Sequence, residues 1–525
     1  MASTLPKLPV FEAISRHDPE STVVVHSNSG RTFKYGELLE DVYKTRNRLY
    51  ETAGKEDLNG ERIAFLVENS YDYVVTLLAC LAAKSIAVPL SPAFPAPELQ
   101  YILNHSEALL LLSSAKFTNK AQEVLKTELD SKPTLLELTK FQGGSQHEKV
   151  TLDTKSGPGE AGMMLYTSGT TNRPLHRVHV PPSTPDAVWK RFAAPFLPDT
   201  SDKEKVTFFT VVPTVYSRLL TTHKHLPDDF QAATREAIAP SNLRLAISGS
   251  AALPTPIKKA WHDLSSGNVL LERYGMTEVG MALSCGLETA DRVDGSVGWP
   301  LPGVEARLVD IENNTIIEPG QEWDPETGRE RAGEIQLRGP SIFREYWRNP
   351  EATAKEFVTD EKDVAGSKGR WFKTGDVAVR RPAPEGAGKS DRESQKDWAR
   401  GDMYFILGRK SADIIKSGGE KVSALEVERE MLSLPQVAEC AVLAVPSGKW
   451  GQKVGAVVIL DREHVPEGKW SPLEMRRALK DRLAAYKIPQ VLKIVDKIPR
   501  NAMGKINKKN LVKEVFADEF SGDEL

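Results

Sequence analysis

The first 150 residues alternate between two apolar periods, and this alternation limits the architecture more than any other feature of the chain. FKYGELLEDVYKTRNRLYE carries apolar residues at three- and four-residue steps, which predicts a helix. ERIAFLVEN then reads as a strand, SYDYVVTLLACLAAKS as a second helix, and IAVPLSP as a strand ending at Pro92. A helix between two strands carries the chain back to the same edge, so the strands should run parallel with helices on the sheet faces.

From about Val304 the pattern changes. GVEARLVDIENN and GEIQLRGP read as short strands between turn residues, predicting a small β subdomain. Residues 380–402, RRPAPEGAGKSDRESQKDWARGD, read as a solvated insertion loop because they are charged and rich in Pro and Gly. After GRKSADIIKSGGEK comes a compact tail: SALEVEREMLSL as helix, ECAVLAVP and KVGAVVIL as strands, SPLEMRRALKDRL as helix. A chain of 525 residues is too long for one compact core. The expected division is 1–410 and 411–525: a large domain of parallel α/β layers plus the β subdomain, then a smaller mobile α+β domain.

The chain has 69 basic and 72 acidic residues, a net charge of -3. That balance gives no electrostatic reason to expect a nucleic-acid partner. Cys80, Cys285 and Cys440 are far apart and form no CxxC pair, which argues against a disulfide framework or zinc site and for a reducing compartment. Cys80 lies in the apolar run Val74–Ala83 and reads as a buried structural thiol. The first twenty residues hold no long apolar stretch, so a cytoplasmic location is expected, with the mitochondrial matrix as the alternative. VVTLLACLAA is too short to span a bilayer.

One segment invites a phosphate. Tyr166-Thr167-Ser168-Gly169-Thr170-Thr171-Asn172-Arg173-Pro174 follows the apolar run AGMMLY. Its hydroxyls and backbone N–H groups can donate to phosphate oxygens, and an ordinary polar loop is the rival reading. The segment resembles the signature loop of the adenylate-forming superfamily: acyl-CoA synthetases, luciferases and peptide-synthetase adenylation domains. Four further motifs follow in that family's order. They are Tyr274-Gly275-Met276-Thr277-Glu278, Trp371-Phe372-Lys373-Thr374-Gly375-Asp376, Gly408-Arg409 with Lys416-Ser417-Gly418-Gly419, and Pro499-Arg500-Asn501-Ala502-Met503-Gly504-Lys505. The resemblance covers nearly the whole chain and is strongest to malonyl-CoA synthetases.

The resemblance implies an α/β ligase that uses ATP, Mg2+ and CoA on a small-molecule carboxylic acid and acts as a monomer or weak homodimer. A carboxylate attacks the α-phosphorus, pyrophosphate leaves, and a thiol displaces AMP. By the same resemblance Thr167, Ser168, Gly169, Thr170 and Thr171 cradle phosphates, Glu278 and Thr170 hold Mg2+, and Thr277 meets the α-phosphate. Tyr274 stacks on adenine and Asp376 accepts the ribose hydroxyls, with Arg409 beside the nucleotide. Core packing for Tyr274 and a surface turn for Asp376 are the bland rivals. Gly249-Ser250-Ala251 would lie along adenine, with a simple turn as an even rival. Lys505 would bridge the acyl carboxylate and the α-phosphate, whereas a lysine near Lys508 and Lys509 would otherwise read as solvated surface. Ser411 falls at the interdomain hinge, where many members carry Asp or Lys.

Arg218 and Arg273 match arginines that hold the second carboxylate in malonyl-CoA synthetases, and Met281 lies in the same acid pocket. The rival is that each arginine pairs with a protein carboxylate such as Glu272. The chain departs from the family after Pro174, where Leu175-His176-Arg177-Val178-His179 replaces the usual Lys-Gly. The next motifs arrive some tens of residues early, which reads as an internal deletion near 174–185. Its loss should leave an exposed edge or a cavity.

Overall fold

The structure, a computed structural model, describes residues 3–26, 29–144, 146–166, 185–198, 205–359, 369–447, 451–499 and 506–517. The phosphate loop Thr167–Thr171, the junction after Pro174, and Lys505 lie outside the described residues. The chain divides into two compact units, Met1–Val180 and Pro181–Leu525.

In the first unit, α1 (Tyr35–Ala53), β1 (Arg62–Leu66), α2 (Tyr71–Ala82), β2 (Ile86–Pro89), α3 (Ala96–Ser106), β3 (Leu110–Ser114), β4 (Thr134–Leu138) and β5 (Gly162–Met163) follow one another. The strands form a sheet of order β4-β3-β1-β2-β5, parallel throughout, as the alternation predicts. Its two faces are sorted residue by residue. Ile63, Phe65, Leu110 and Leu112 join one core cluster with Cys80, while Ala64, Leu66 and Leu111 join another with Leu99 and Leu103. Successive strand side chains point to opposite faces, so a nearly continuous apolar run means burial on both. Burial pushes the Cys80 thiol up to about 12, consistent with an inert structural role.

A half-buried carboxyl makes this unit pH-sensitive. Asp41 on α1 accepts a hydrogen bond from Tyr71 Oη at 2.8 Å, and burial raises its carboxyl to about 6. The folded state therefore holds this proton more tightly than the unfolded chain. Its contribution to stability is fully present below the unfolded value of 3.8 and lost as pH rises through about 6. Asp41→Asn keeps an acceptor for Tyr71 and cannot ionise. It should raise stability at pH 7 by about 1–2 kcal/mol, after allowance for solvent screening, and leave stability at pH 4 nearly unchanged. Urea unfolding at both pH values checks this.

In the second unit, β6 (Phe208–Val211), α4 (Pro213–His223), β7 (Leu245–Ser248), α5 (Thr255–Leu264), β8 (Leu271–Met276), β9 (Gly280–Ser284), β10 (Ser296–Pro300), β11 (Glu305–Asp310), β12 (Gly333–Arg338), β13 (Trp371–Arg381) and β14 (Met403–Arg409) build one large sheet. Strands β6, β7 and β8 are parallel, and from β8 onward the neighbours run β9-β10-β14-β13-β12-β11, all antiparallel. The expected β subdomain is thus hydrogen-bonded onto the parallel strands. A second sheet follows: β15 (Ile414–Ser417), β16 (Glu420–Ser423), α6 (Ala424–Leu432), β17 (Val437–Ser447), β18 (Gly451–Leu460), α7 (Pro472–Leu479), β19 (Val491–Ile494) and α8 (Lys508–Val515). It has its own apolar cores around Val427, Met431, Val442 and Val458, and around Leu443, Val457, Leu511 and Phe516.

The insertion read as solvated is in fact docked. Gln395 is buried against Asp291, the N–H of Leu287 donates to Gln395 Oε1 at 2.7 Å, and Trp299 Nε1 donates to Gly401 O at 3.0 Å. Composition misleads here because most of the loop's charges face water while one glutamine and small residues Ala387 and Ala399 pack inward. On either side of the junction, β5 and β6 each end a sheet, and Met163, Leu165, Phe208 and Val212 are exposed. Among the described residues no helix is long and apolar enough to cross a membrane.

Candidate active site

Three parallel strands, β6, β7 and β8, deliver most of those predicted residues that lie among the described ones, at or beyond their carboxyl ends, where open parallel sheets place ligands. Helix α4 leaves β6 through Pro213 and carries Arg218, whose side chain is exposed. Gly249, Ser250 and Ala251 leave β7. The left-handed residue of that turn is Ser250, at φ 65°, and an added Cβ on Gly249 would meet only Arg273 O at 3.5 Å. The backbone strain of this small-residue turn therefore sits at Ser250 and not at its glycine.

Strand β8 and its return β9 form a hairpin whose turn carries Thr277, exposed, and Glu278, half-buried. The pairing shifts register at Tyr274/Gly275, and a Cβ on Gly275 would stand 2.1 Å from Gly280 O. Only glycine permits that approach, which folds the hairpin back tightly enough to present its turn. Met281 is exposed on β9.

Alternation along β8 separates two charges. Glu272 is buried and pairs with buried Lys258 of α5 at 2.8 Å. Its neighbour Arg273 points to the opposite face, where its Nε is buried and has no hydrogen-bond partner among the described residues. Burial lowers the Arg273 guanidinium below its ordinary range, and no carboxylate among the described residues opposes the shift. The rival pairing of Arg273 with Glu272 is therefore not what the structure holds.

Tyr274 does two things at once. Its ring packs against the cluster of Val279, Leu283 and Phe372, and its hydroxyl donates to Asp376 Oδ2 at 2.6 Å. Burial, then the Asp376 charge, raises its phenol well above the usual range, so the tyrosine stays protonated and donating. Asp376 is buried on β13. Its Oδ1 pairs with Arg409 Nε at 2.9 Å, and Arg409 Nη1 donates to Thr374 O at 3.0 Å. The strand pairing Asp376↔Arg409 sets this contact. Asp376 is thus a fixed acceptor, not a loose surface turn residue.

Sequence reading missed the partner of Glu278. Tyr346 Oη donates to Glu278 Oε1 at 3.2 Å, and the backbone N–H of Phe343 donates to Glu278 O at 2.7 Å. Tyr346 is 68 residues away in a segment without periodic signal, so only the tertiary fold reveals it. Among the described residues no group of three or more His, Cys, Asp or Glu could hold a metal. One carboxylate at an open turn fits Mg2+, which takes one or two protein carboxylates and completes its shell from water and phosphate.

Comparison with known proteins gives the family. The AMP-binding enzyme family matches residues 11–174 and 177–347, and its C-terminal domain matches 426–505. A CoA ligase of Gibberella moniliformis is 51% identical over 583 residues, covering 97% of this chain and 94% of that protein. The mitochondrial malonate–CoA ligase of Homo sapiens is 34% identical, over 87% of this chain and 83% of its own length. Among solved structures, ATP-bound MatB from Rhodopseudomonas palustris superposes with a TM-score of 0.67 over 98% of this chain and 99% of its own, at 24% identity, a likeness of fold. The chain belongs to the AMP-binding family of adenylate-forming enzymes, within its acyl-CoA ligases.

Proposed function

We propose that the protein joins a small dicarboxylic acid, malonate or methylmalonate, to CoA through an acyl-adenylate. The observation that carries this reading is Arg273: a half-buried guanidinium with no carboxylate partner among the described residues, at the carboxyl end of a parallel strand. A buried unpaired cation is costly, and an anionic substrate group repays that cost. Arg218 on the helix leaving β6 would be the second arm, and Met281 would border the acid. The relatives named as malonate–CoA ligases support the same choice.

In this reading Tyr274 stacks on adenine, the turn at Gly249, Ser250 and Ala251 borders it, and Asp376, held by Tyr274 and Arg409, accepts the ribose hydroxyls. Thr277 meets the α-phosphate. Glu278 would hold Mg2+, which when bound offsets phosphate charge. Thr167–Thr171 would cradle the phosphates and Lys505 would neutralise charge between carboxylate and α-phosphate. After adenylation the tail beyond Ser411 would turn, bringing the Gly418-Gly419 loop to the thiol site. An acid panel (malonate, methylmalonate, succinate, acetate, octanoate) with CoA and Mg·ATP tests the reading. Malonate or methylmalonate should give the highest kcat/KM; preference for octanoate would sink the roles of both arginines.

A second reading is a nucleotide-binding relative with impaired catalysis. It is favoured by the alignment of 583 positions against a chain of 525 residues, by the family match breaking between 174 and 177, and by the exposed apolar residues flanking that break. Nucleotide binding without malonate-dependent pyrophosphate release would select it.

A further inference from the structure

Lys508 belongs to a basic tail by sequence, yet its side chain is only 12% exposed. Its ammonium stands 2.6 Å from Asp413 Oδ1 and 2.7 Å from Glu428 Oε1, both also largely buried. Glu428 Oε1 additionally accepts the backbone N–H of Val442 at 2.8 Å. The other oxygen of Asp413 accepts the backbone N–H of Arg409 at 2.9 Å. A continuous polar chain therefore runs from Tyr274 through Asp376, Arg409 and Asp413 to Lys508, the first residue of α8. The adjacent Lys509 is exposed and outside it.

Such a cluster is poorly explained as a source of stability, because desolvating three charges offsets much of their attraction. Its geometric effect is clearer. Asp413 lies two residues past Ser411, and Lys508 lies three residues past Lys505. Both members of the Asp413–Lys508 pair follow Ser411, so rotation about that residue would carry the pair intact. The contact from Asp413 to the Arg409 N–H crosses Ser411 and would not survive it.

We propose that Lys508 is a positioning residue: held between Asp413 and Glu428, it fixes the start of α8 to the turn that carries Arg409, and so sets the reach of the segment ending at Lys505. This rests on the reading that Lys505 acts on the acyl carboxylate and α-phosphate during adenylation.

The test uses the full chain, with Lys508→Arg and the double variant Lys508→Met/Glu428→Gln, which avoids leaving two buried carboxylates face to face. Hydrogen exchange of the 508–515 amides should accelerate at least about tenfold in the double variant. Malonate-dependent pyrophosphate release should fall about tenfold in kcat with KM for ATP unchanged, while thioester formation from supplied malonyl-adenylate stays within about twofold. Lys508→Arg should recover most of both losses. Wild-type exchange and pyrophosphate release in the double variant would overturn the proposal, as would an equal fall in both half-reactions. A wild-type chain inert with every acid, whose variant still exchanges faster, would overturn the ligase reading and the positioning role with it, leaving only a structural anchor.

Discussion

Replacing Arg273 with leucine should lower kcat/KM for malonate by about 100-fold while changing that for a monocarboxylate such as propionate by less than about threefold. The asymmetry follows from where Arg273 sits. Its Nε is buried without a partner among the described residues, so little internal bonding is lost when the guanidinium goes. A charge-assisted bond to a second carboxylate contributes about 1.5–3 kcal/mol, and a bidentate pair falls at the upper end of that range. A leucine in its place would leave the second carboxylate of malonate facing an apolar surface, whereas propionate presents a methyl group there. Arg273→Lys should fall between, because a point charge cannot grip both oxygens. Pyrophosphate release with each acid measures the effect. A parallel fall for both acids would show that Arg273 supports the fold and not the choice of substrate. Arg218→Leu should act in the same direction with less effect, since that side chain is exposed and solvent already screens it.

Glu278→Gln should reduce adenylation by at least about 100-fold and raise the Mg2+ concentration needed for half-maximal rate. The substitution is nearly isosteric and keeps an oxygen for Tyr346 Oη, the one side-chain donor to Glu278 among the described residues. Stability should therefore change little, separating a chemical role from a structural one. Tyr346→Phe removes only the hydrogen bond that orients the carboxylate and should cost less than about tenfold. Calorimetric titration of Mg2+ into enzyme holding a non-hydrolysable ATP analogue gives a readout independent of turnover. Unaltered Mg2+ affinity in Glu278→Gln would remove Glu278 from the metal site.

The candidate site was legible in unequal parts. Glycine and hydroxyl motifs announce a nucleotide because their chemistry is local: a turn needs Gly275, and a hairpin tip needs small or polar residues. Asp376 and Arg409 could each be named, but not their pairing, which is set by the antiparallel register of β13 and β14. The burial of Lys508 was not legible, because a lysine beside Lys509 gives no sign that Asp413 and Glu428, 95 and 80 residues earlier, will enclose it. The 380–402 loop was misread for a related reason: composition reports average polarity, while docking depends on a few inward residues such as Gln395.

Periodicity is a property of neighbouring residues, so the sequence by itself determined the parallel α/β layers of the first unit and the order of elements in the tail. It also determined the family, because five motifs in order are improbable by chance. Tertiary structure alone decided how buried charges pair. On β8 the two-residue period sends Glu272 to Lys258 and leaves Arg273 on the other face without a partner among the described residues. Which carboxylate meets which cation depends on elements distant in the chain arriving at one place, and no local pattern encodes that meeting.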